Sequence, residues 1–208
     1  MADNTHKALD VTVHRAQDLD NVEKHGRQDP YVRLFLGLHD PDKCTVTTYK
    51  KNAGELPVWE ERLTLEHLKE ETHILYVEIM DHEKVTDRII AFTAIPLSQV
   101  REWTSNSFTG NFDVYNRECE TRGTISLTLC IRDRDEPAHT HTLDSTSRPH
   151  KGRTTLIPEH KKRIGNLAGK THVSHPIAAA ANEAVIDLAA KVIAHSRSRT
   201  EPASVREI

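Results

Sequence analysis

The sequence predicts an all-β fold over residues 1–135, an eight-stranded antiparallel Greek-key β-sandwich, and three observations favour it. Short segments in which apolar and polar residues alternate recur at intervals of roughly ten to twenty residues. Little helical periodicity separates these segments. Xaa-Pro pairs at 29–30, 40–41 and 56–57 supply turn chemistry at their boundaries. Strands without intervening helices bury their apolar faces by stacking two sheets.

The first four predicted strands cover residues 8–15, 31–37, 45–49 and 58–65. In the first strand Leu9, Val11 and Val13 alternate with polar residues, so one face is apolar. The second strand repeats that alternation, and the third is rich in β-branched residues. The fourth contains a tryptophan and ends with leucines at alternate positions. Each pattern predicts a strand with one side in a core.

Three further strands are predicted at residues 73–80, 89–97 and 124–131. The last of them alternates most cleanly, with an apolar residue at every second position from Ile125 to Ile131. The segment 89–97 is nearly all apolar, which is typical of a strand that is buried on both faces.

The chain changes character after residue 135. Residues 1–135 contain 24 acidic and 17 basic residues, a balance of -7, whereas residues 136–208 contain 7 and 11, a balance of +4. We predict a basic, His-rich flexible linker over 136–173, an amphipathic Ala-rich helix over 174–196 and a disordered tail over 197–208. That helix has no Trp or Phe, which favours docking on the sandwich or on a second chain over membrane insertion.

The expected location is the cytoplasm, with reversible visits to a membrane surface. The sequence has no run of 18 apolar residues, and its first residues contain no apolar signal segment. Three scattered cysteines, Cys44, Cys119 and Cys130, are typical of a reducing compartment.

Four short segments carry a family pattern in the same order along the chain. Residues 26–32 read Gly-Arg-Gln-Asp-Pro-Tyr-Val, and residues 57–61 read Pro-Val-Trp-Glu-Glu. Residues 77–83 read Val-Glu-Ile-Met-Asp-His-Glu, and residues 88–91 read Arg-Ile-Ile-Ala. In this order and spacing they resemble the C2 domain family of calcium- and lipid-binding β-sandwiches. The resemblance implies a permuted topology in which the last strand of the sandwich is C-terminal.

The resemblance also implies a calcium (Ca2+) site in two loops at one end of the sandwich, because calcium takes about 6–8 oxygen ligands. Carried over by position, the metal ligands are Glu23, Asp29, Asp81, Glu83 and Asp87. The chain departs from the family by two Glu-for-Asp replacements and by Arg88 at an acidic position. Two interpretations stay open: the carboxylates bind calcium, or Arg88 and Lys84 neutralise them and the site works without calcium. Asp29 also suits a structural Asp-Pro turn.

The resemblance implies two lipid-binding regions. The predicted loop tips are Val22, Lys24 and His25 in the first loop and Lys84 and Val85 in the third. The predicted basic patch is Lys50 and Lys51, with Arg33 and Lys43 as possible neighbours. Basic residues beside an anionic surface contribute about 1 kcal/mol each. The alternative is that the lysine pair only keeps an edge strand soluble.

These observations predict a peripheral membrane-targeting module that binds anionic phospholipid, with a degraded calcium site. The alternative is a calcium-independent protein-interaction adaptor, in which the C-terminal helix binds a protein partner or self-associates. No Gly-x-Ser-x-Gly, phosphate-binding Gly loop or His-Glu-x-x-His is present, so we expect neither an enzyme nor a small-molecule substrate. The domain is acidic and aromatic residues make up only 5% of the chain, which argues against nucleic-acid binding.

Overall fold

The computed structural model describes residues 7–38, 44–103, 106–134 and 149–167, which form nine strands and two helices. All seven predicted segments contain a strand, so the all-β prediction is confirmed. The elements are β1 Lys7–Gln17, β2 Pro30–Phe35, β3 Thr45–Val46, β4 Val58–Leu68, β5 Ile74–Asp81, β6 Arg88–Pro96, α1 Ser98–Arg101, β7 Ser107–Tyr115, β8 Thr121–Asp133, β9 His150–Lys151 and α2 Pro158–Leu167.

The eight main strands pair antiparallel in the order β3-β2-β5-β6-β7-β8-β1-β4. A single pairing, Phe92 with Tyr115, joins β6 to β7, and the chain of strands divides there into two layers. Inward-facing residues of both layers, among them Val11, Ile79 and Leu127, share one buried core. Strand β8, the last of the eight main strands, pairs with β1 along almost its full length, which confirms the permuted topology.

Three connections meet at one end of the sandwich, which we call the loop end: residues 18–29, 47–57 and 82–87. Backbone hydrogen bonds hold them together. The amide of His82 donates to the carbonyl of Asp29 at 3.0 Å, and the amide of Gly54 donates to the carbonyl of Gln28 at 3.1 Å. The loop end is therefore one surface built from three separate parts of the chain.

The predicted flexible linker over 136–173 differs from the structure in its described part, residues 149–167. Residues 150–167, which we call the strap, follow the gap between β6 and β7. The amide of Gly152 donates to the Asn111 carbonyl at 2.8 Å, and the amide of Thr155 donates to the Ala94 carbonyl at 2.9 Å. Only glycine fits at position 152, because a Cβ atom there would lie 2.2 Å from the ring of Phe112.

Helix α2 ends the strap and lies against β5 and β6. Pro158 begins it, a position where the missing amide hydrogen costs nothing. His160 and Ile164, one helical turn apart, are both buried. Composition alone misled the sequence prediction, since two buried side chains and backbone pairing are enough to order a polar segment.

The predicted helix at 174–196, the tail at 197–208 and the rest of the linker lie outside the described residues. Within the described residues, no helix has the length and apolar character needed to span a bilayer.

Candidate functional site

Asp81, the last residue of β5, is the centre of the loop end. Its side chain is fully buried, and its Oδ1 accepts a hydrogen bond from the amide of Asp29 at 2.8 Å. Burial and the nearby carboxylate of Glu23 raise the pKa of Asp81 to about 6. At neutral pH the ionised Asp81 carboxylate therefore costs the folded state some free energy.

The guanidinium of Arg88, the first residue of β6, lies among three carboxylates. Its Nη2 is 2.6 Å from Glu23 Oε1 and 3.4 Å from Asp81 Oδ2, and it also bonds to Glu83. Its Nη1 donates to the carbonyl of Val22 at 2.7 Å. The hydrogen bond from Arg88 lowers the pKa of Glu23. Arg88 therefore connects the first loop to the third.

The same three carboxylates are the group that could hold a metal ion. One oxygen each from Glu23, Asp81 and Glu83 lies within 4.8 Å of the others. However, the position that a cation would take among them is filled by the Arg88 guanidinium, which adds a positive charge that opposes a second cation. The residues as placed do not fit a calcium ion.

Asp29 and Asp87, the other two predicted metal ligands, have different partners. Asp29 Oδ1 accepts the Asn52 amide at 2.6 Å, as the structural interpretation of the Asp-Pro turn expected. Asp87 Oδ2 accepts the hydroxyl of Tyr31 at 2.7 Å, and its Oδ1 accepts the amide of Glu83 at 2.8 Å. Both carboxylates fix the loops instead of joining the carboxylate group around Arg88.

Four of the five predicted loop-tip residues are exposed: Lys24, His25, Lys84 and Val85. Val85 is the most exposed large apolar residue in the described chain, at 84%. Val22 is the exception, because it packs partly buried against the core and its amide donates to Gln28 Oε1. Val22, predicted as a tip residue, is thus less available at the surface than the other four, since the loop folds back on Gln28.

The predicted basic patch is divided in the structure. Lys51 is exposed, but Lys50 Nζ lies 2.8 Å from Glu61 Oε1 and is largely committed to that ion pair. Arg33 is 4% exposed and lies beside Glu78, so it does not neighbour the lysines at the surface. Lys43 lies outside the described residues.

A scan of family models matches the C2 domain to residues 7–114, more than half of the chain. This chain belongs to the C2 domain family. Tricalbin-2 of Saccharomyces cerevisiae is 28% identical over 120 residues, which are 57% of this chain and 10% of that protein. Synaptotagmin-7 of Homo sapiens is 26% identical over 126 residues, 59% of this chain and 31% of that protein.

A protein of Arabidopsis thaliana named calcium-dependent lipid-binding protein is 29% identical over 127 residues, 57% of this chain and 24% of its own length. The chain therefore spans a third or less of these relatives. Among solved structures, the C2A domain of plant Extended Synaptotagmin 1 aligns with a TM-score of 0.52 and 21% identity, covering 62% of this chain and 96% of that one. That likeness shows the shared fold.

Two exposed apolar residues of this C2 domain's loop end were not singled out from the sequence. Leu56 is 64% exposed, and Tyr49 is 42% exposed with its ring centroid 4.4 Å from that of His82. The Leu56-Pro57 pair indicated a turn. An apolar residue at a turn is a candidate for surface contact, so Leu56 could have been identified from the sequence.

Proposed function

We propose that this C2 domain is a peripheral membrane-binding module that contacts anionic phospholipid through its loop end without needing calcium. The observation that carries the proposal is the position of Arg88, whose guanidinium bonds to Glu23, Asp81 and Glu83. A side chain thus supplies the positive charge that holds the acidic loops together. The Arabidopsis relative, by its name, depends on calcium, and Arg88 is the residue that would make this chain differ.

The surface of the loop end supports lipid contact. Val85 and Leu56 are exposed apolar side chains of the loop-end connections, and Lys24, Lys51 and Lys84 are exposed on the same connections. Burying a valine or leucine side chain contributes about 1.5–3 kcal/mol. Each lysine near an anionic surface adds about 1 kcal/mol. The sum is sufficient for weak, reversible binding that weakens as salt increases.

The test is sedimentation of the full chain with phosphatidylserine-containing vesicles, in calcium and in chelator. We expect equal binding in both conditions. Val85→Asp and Lys84→Glu, on one loop, should each weaken binding. Lys69→Glu is the matched control, because Lys69 is an exposed lysine in the connection between β4 and β5, at the opposite end of the sandwich.

Binding that requires calcium would contradict the role given to Arg88. No binding of the unmodified chain under either condition would overturn the membrane proposal and leave the protein-interaction adaptor. An equal loss in Lys84→Glu and Lys69→Glu would mean that the loop end has no special part in binding.

A further inference from the structure

The strap is fixed to the sandwich by a buried ionic cluster, outside the segment that matches the C2 family model. Glu78 of β5 is fully buried and accepts hydrogen bonds from Arg163 Nε at 2.9 Å and from His160 Nε2 at 3.3 Å. Arg33 Nη1 lies 3.7 Å from its second oxygen. Two of these three cationic or donor side chains belong to α2, so the helix has one defined position on the sheet.

The aromatic residues around Glu78 determine which side of α2 faces inward. His160 packs edge-on against Tyr76 and Phe92, at 5.0 Å between centroids in each case. Arg163 lies over Phe35 at 5.4 Å. Because His160 and Ile164 point inward, Lys161 and Lys162 are directed to solvent, and both are exposed.

The exposed cations of the strap are of two kinds. Arg153 lies 2.8 Å from Glu102, and Lys151 lies 3.6 Å from Asp113. Within the described residues, no ion pair joins Lys161 or Lys162 to a carboxylate, so their charges are not compensated by a direct contact. The one acid exposed on α2 is Glu159, at its first turn.

Helix α2 also points toward the loop end. Its second half packs Ile164 against Tyr31, Met80 and Ile89, which lie at the strand ends that lead into the loops. Glu78 is three residues from Asp81, about 10 Å along the strand. The docked helix therefore runs from the Glu78 cluster toward the loop end.

We infer that Lys161 and Lys162, held outward by the docked strap, form a second cationic contact site for anionic lipid headgroups. This inference rests on the proposed membrane function and adds a surface that the family-matched segment, residues 7–114, does not contain. The docked helix holds both charges at fixed positions, whereas a mobile basic linker would lose conformational entropy on binding.

The test compares the full-length chain with Lys161→Gln/Lys162→Gln on vesicles of phosphatidylcholine with and without phosphatidylserine. We expect about thirtyfold weaker binding to the anionic vesicles, since about 1 kcal/mol per lysine is about a fivefold change each. Both side chains are exposed, so thermal unfolding should be unchanged. The matched control is Lys69→Gln/Arg134→Gln, which removes two exposed cations from the opposite end.

A strap variant that binds like the unmodified chain, while Val85→Asp does not bind, would overturn this inference and leave the loop-end proposal intact. An equal loss in the strap and control variants would overturn it as well, because net charge alone would then explain the change. If the unmodified chain does not bind anionic vesicles, both proposals fail.

Discussion

Glu78 and Asp81 are both fully buried carboxylates on β5, three residues apart, yet their pKa values move in opposite directions. Burial by itself raises both values. At Glu78 the hydrogen bond from His160 and the charges of Arg163 and Arg33 outweigh burial and lower the pKa. At Asp81 burial prevails and the pKa rises to about 6.

The difference lies in how cations and acids are shared. Glu78 is one acid surrounded by three cationic or hydrogen-bonding side chains, whereas Asp81 shares the single guanidinium of Arg88 with Glu23 and Glu83. Around Glu78 the cationic and hydrogen-bonding side chains outnumber the acid, whereas around Asp81 the acids outnumber the one cation. A buried charge stabilises a fold only when its partners more than replace its lost hydration.

The largest effect on stability is expected for Glu78→Gln. It leaves the guanidinium groups of Arg33 and Arg163 without their carboxylate in a buried cluster. We expect a loss of about 3–5 kcal/mol in the free energy of unfolding, measured by urea denaturation. Faster proteolysis within residues 150–167 should accompany it, because α2 loses its anchor. Unchanged stability would mean that the aromatic contacts alone hold the strap.

The next largest effect is expected for Arg88→Ala at the loop end. Removing the guanidinium leaves three carboxylates within 4.8 Å of one another, so we expect a loss of about 2 kcal/mol without calcium. The same variant should gain calcium affinity, seen as a rise in Tm on adding calcium that the unmodified chain lacks. Arg88→Lys, which keeps the charge, is the control and should gain none.

Much of the fold could be predicted from sequence because period-two alternation is a local signal. Even so, β7 was not singled out, although Phe108, Phe112 and Val114 alternate within it. The role of Arg88 could be predicted from the sequence, since a cation at a position where the family has an acid would neutralise the neighbouring carboxylates. The predicted ligands Asp29 and Asp87 were not separable from Asp81 by type alone, because backbone amides and the Tyr31 hydroxyl decide their use.

The strap could not be predicted, for a different physical reason. Its order depends on complementarity between Glu78 and two residues more than eighty positions later, His160 and Arg163. The polar composition of residues 136–173 favours a solvated linker when only neighbours in the sequence are considered. The sequence did contain one signal of such a partner, because Glu78 is an acid between apolar residues of β5.

A smaller effect is expected in the pH dependence of stability. The folded-state pKa of Asp81, about 6, exceeds its ordinary value of 3.8, so the folded state binds more protons between these values. The free energy of unfolding should therefore fall as pH rises from 4 to 6. Asp81→Asn should remove that fall and stabilise the protein at neutral pH by about 1–2 kcal/mol, measured by urea denaturation across this range.

Glu78 provides the contrast in the same titration. Its folded-state pKa lies below 4.5, so its contribution is present above that pH and is lost as pH falls through the folded value. The loss of stability at acid pH should therefore persist in Asp81→Asn and become smaller in Glu78→Gln, since Asp10 and Glu61, whose pKa values are also lowered, still contribute to it. If Asp81→Asn instead flattens the acid side, the two carboxylates have been assigned the wrong way round.

The smallest effect is expected for Lys50→Gln, which removes one partner of a partly exposed ion pair. Lys50 and Glu61 are 31% and 24% exposed in their side chains, and water screens the 2.8 Å contact between them. We expect a loss of about 0.2–1 kcal/mol in stability and little change in vesicle binding, because the charge is already paired. Lys51→Gln, at an exposed lysine beside it, should leave stability unchanged and weaken vesicle binding more. The opposite order would mean that Lys50 leaves Glu61 to meet the membrane.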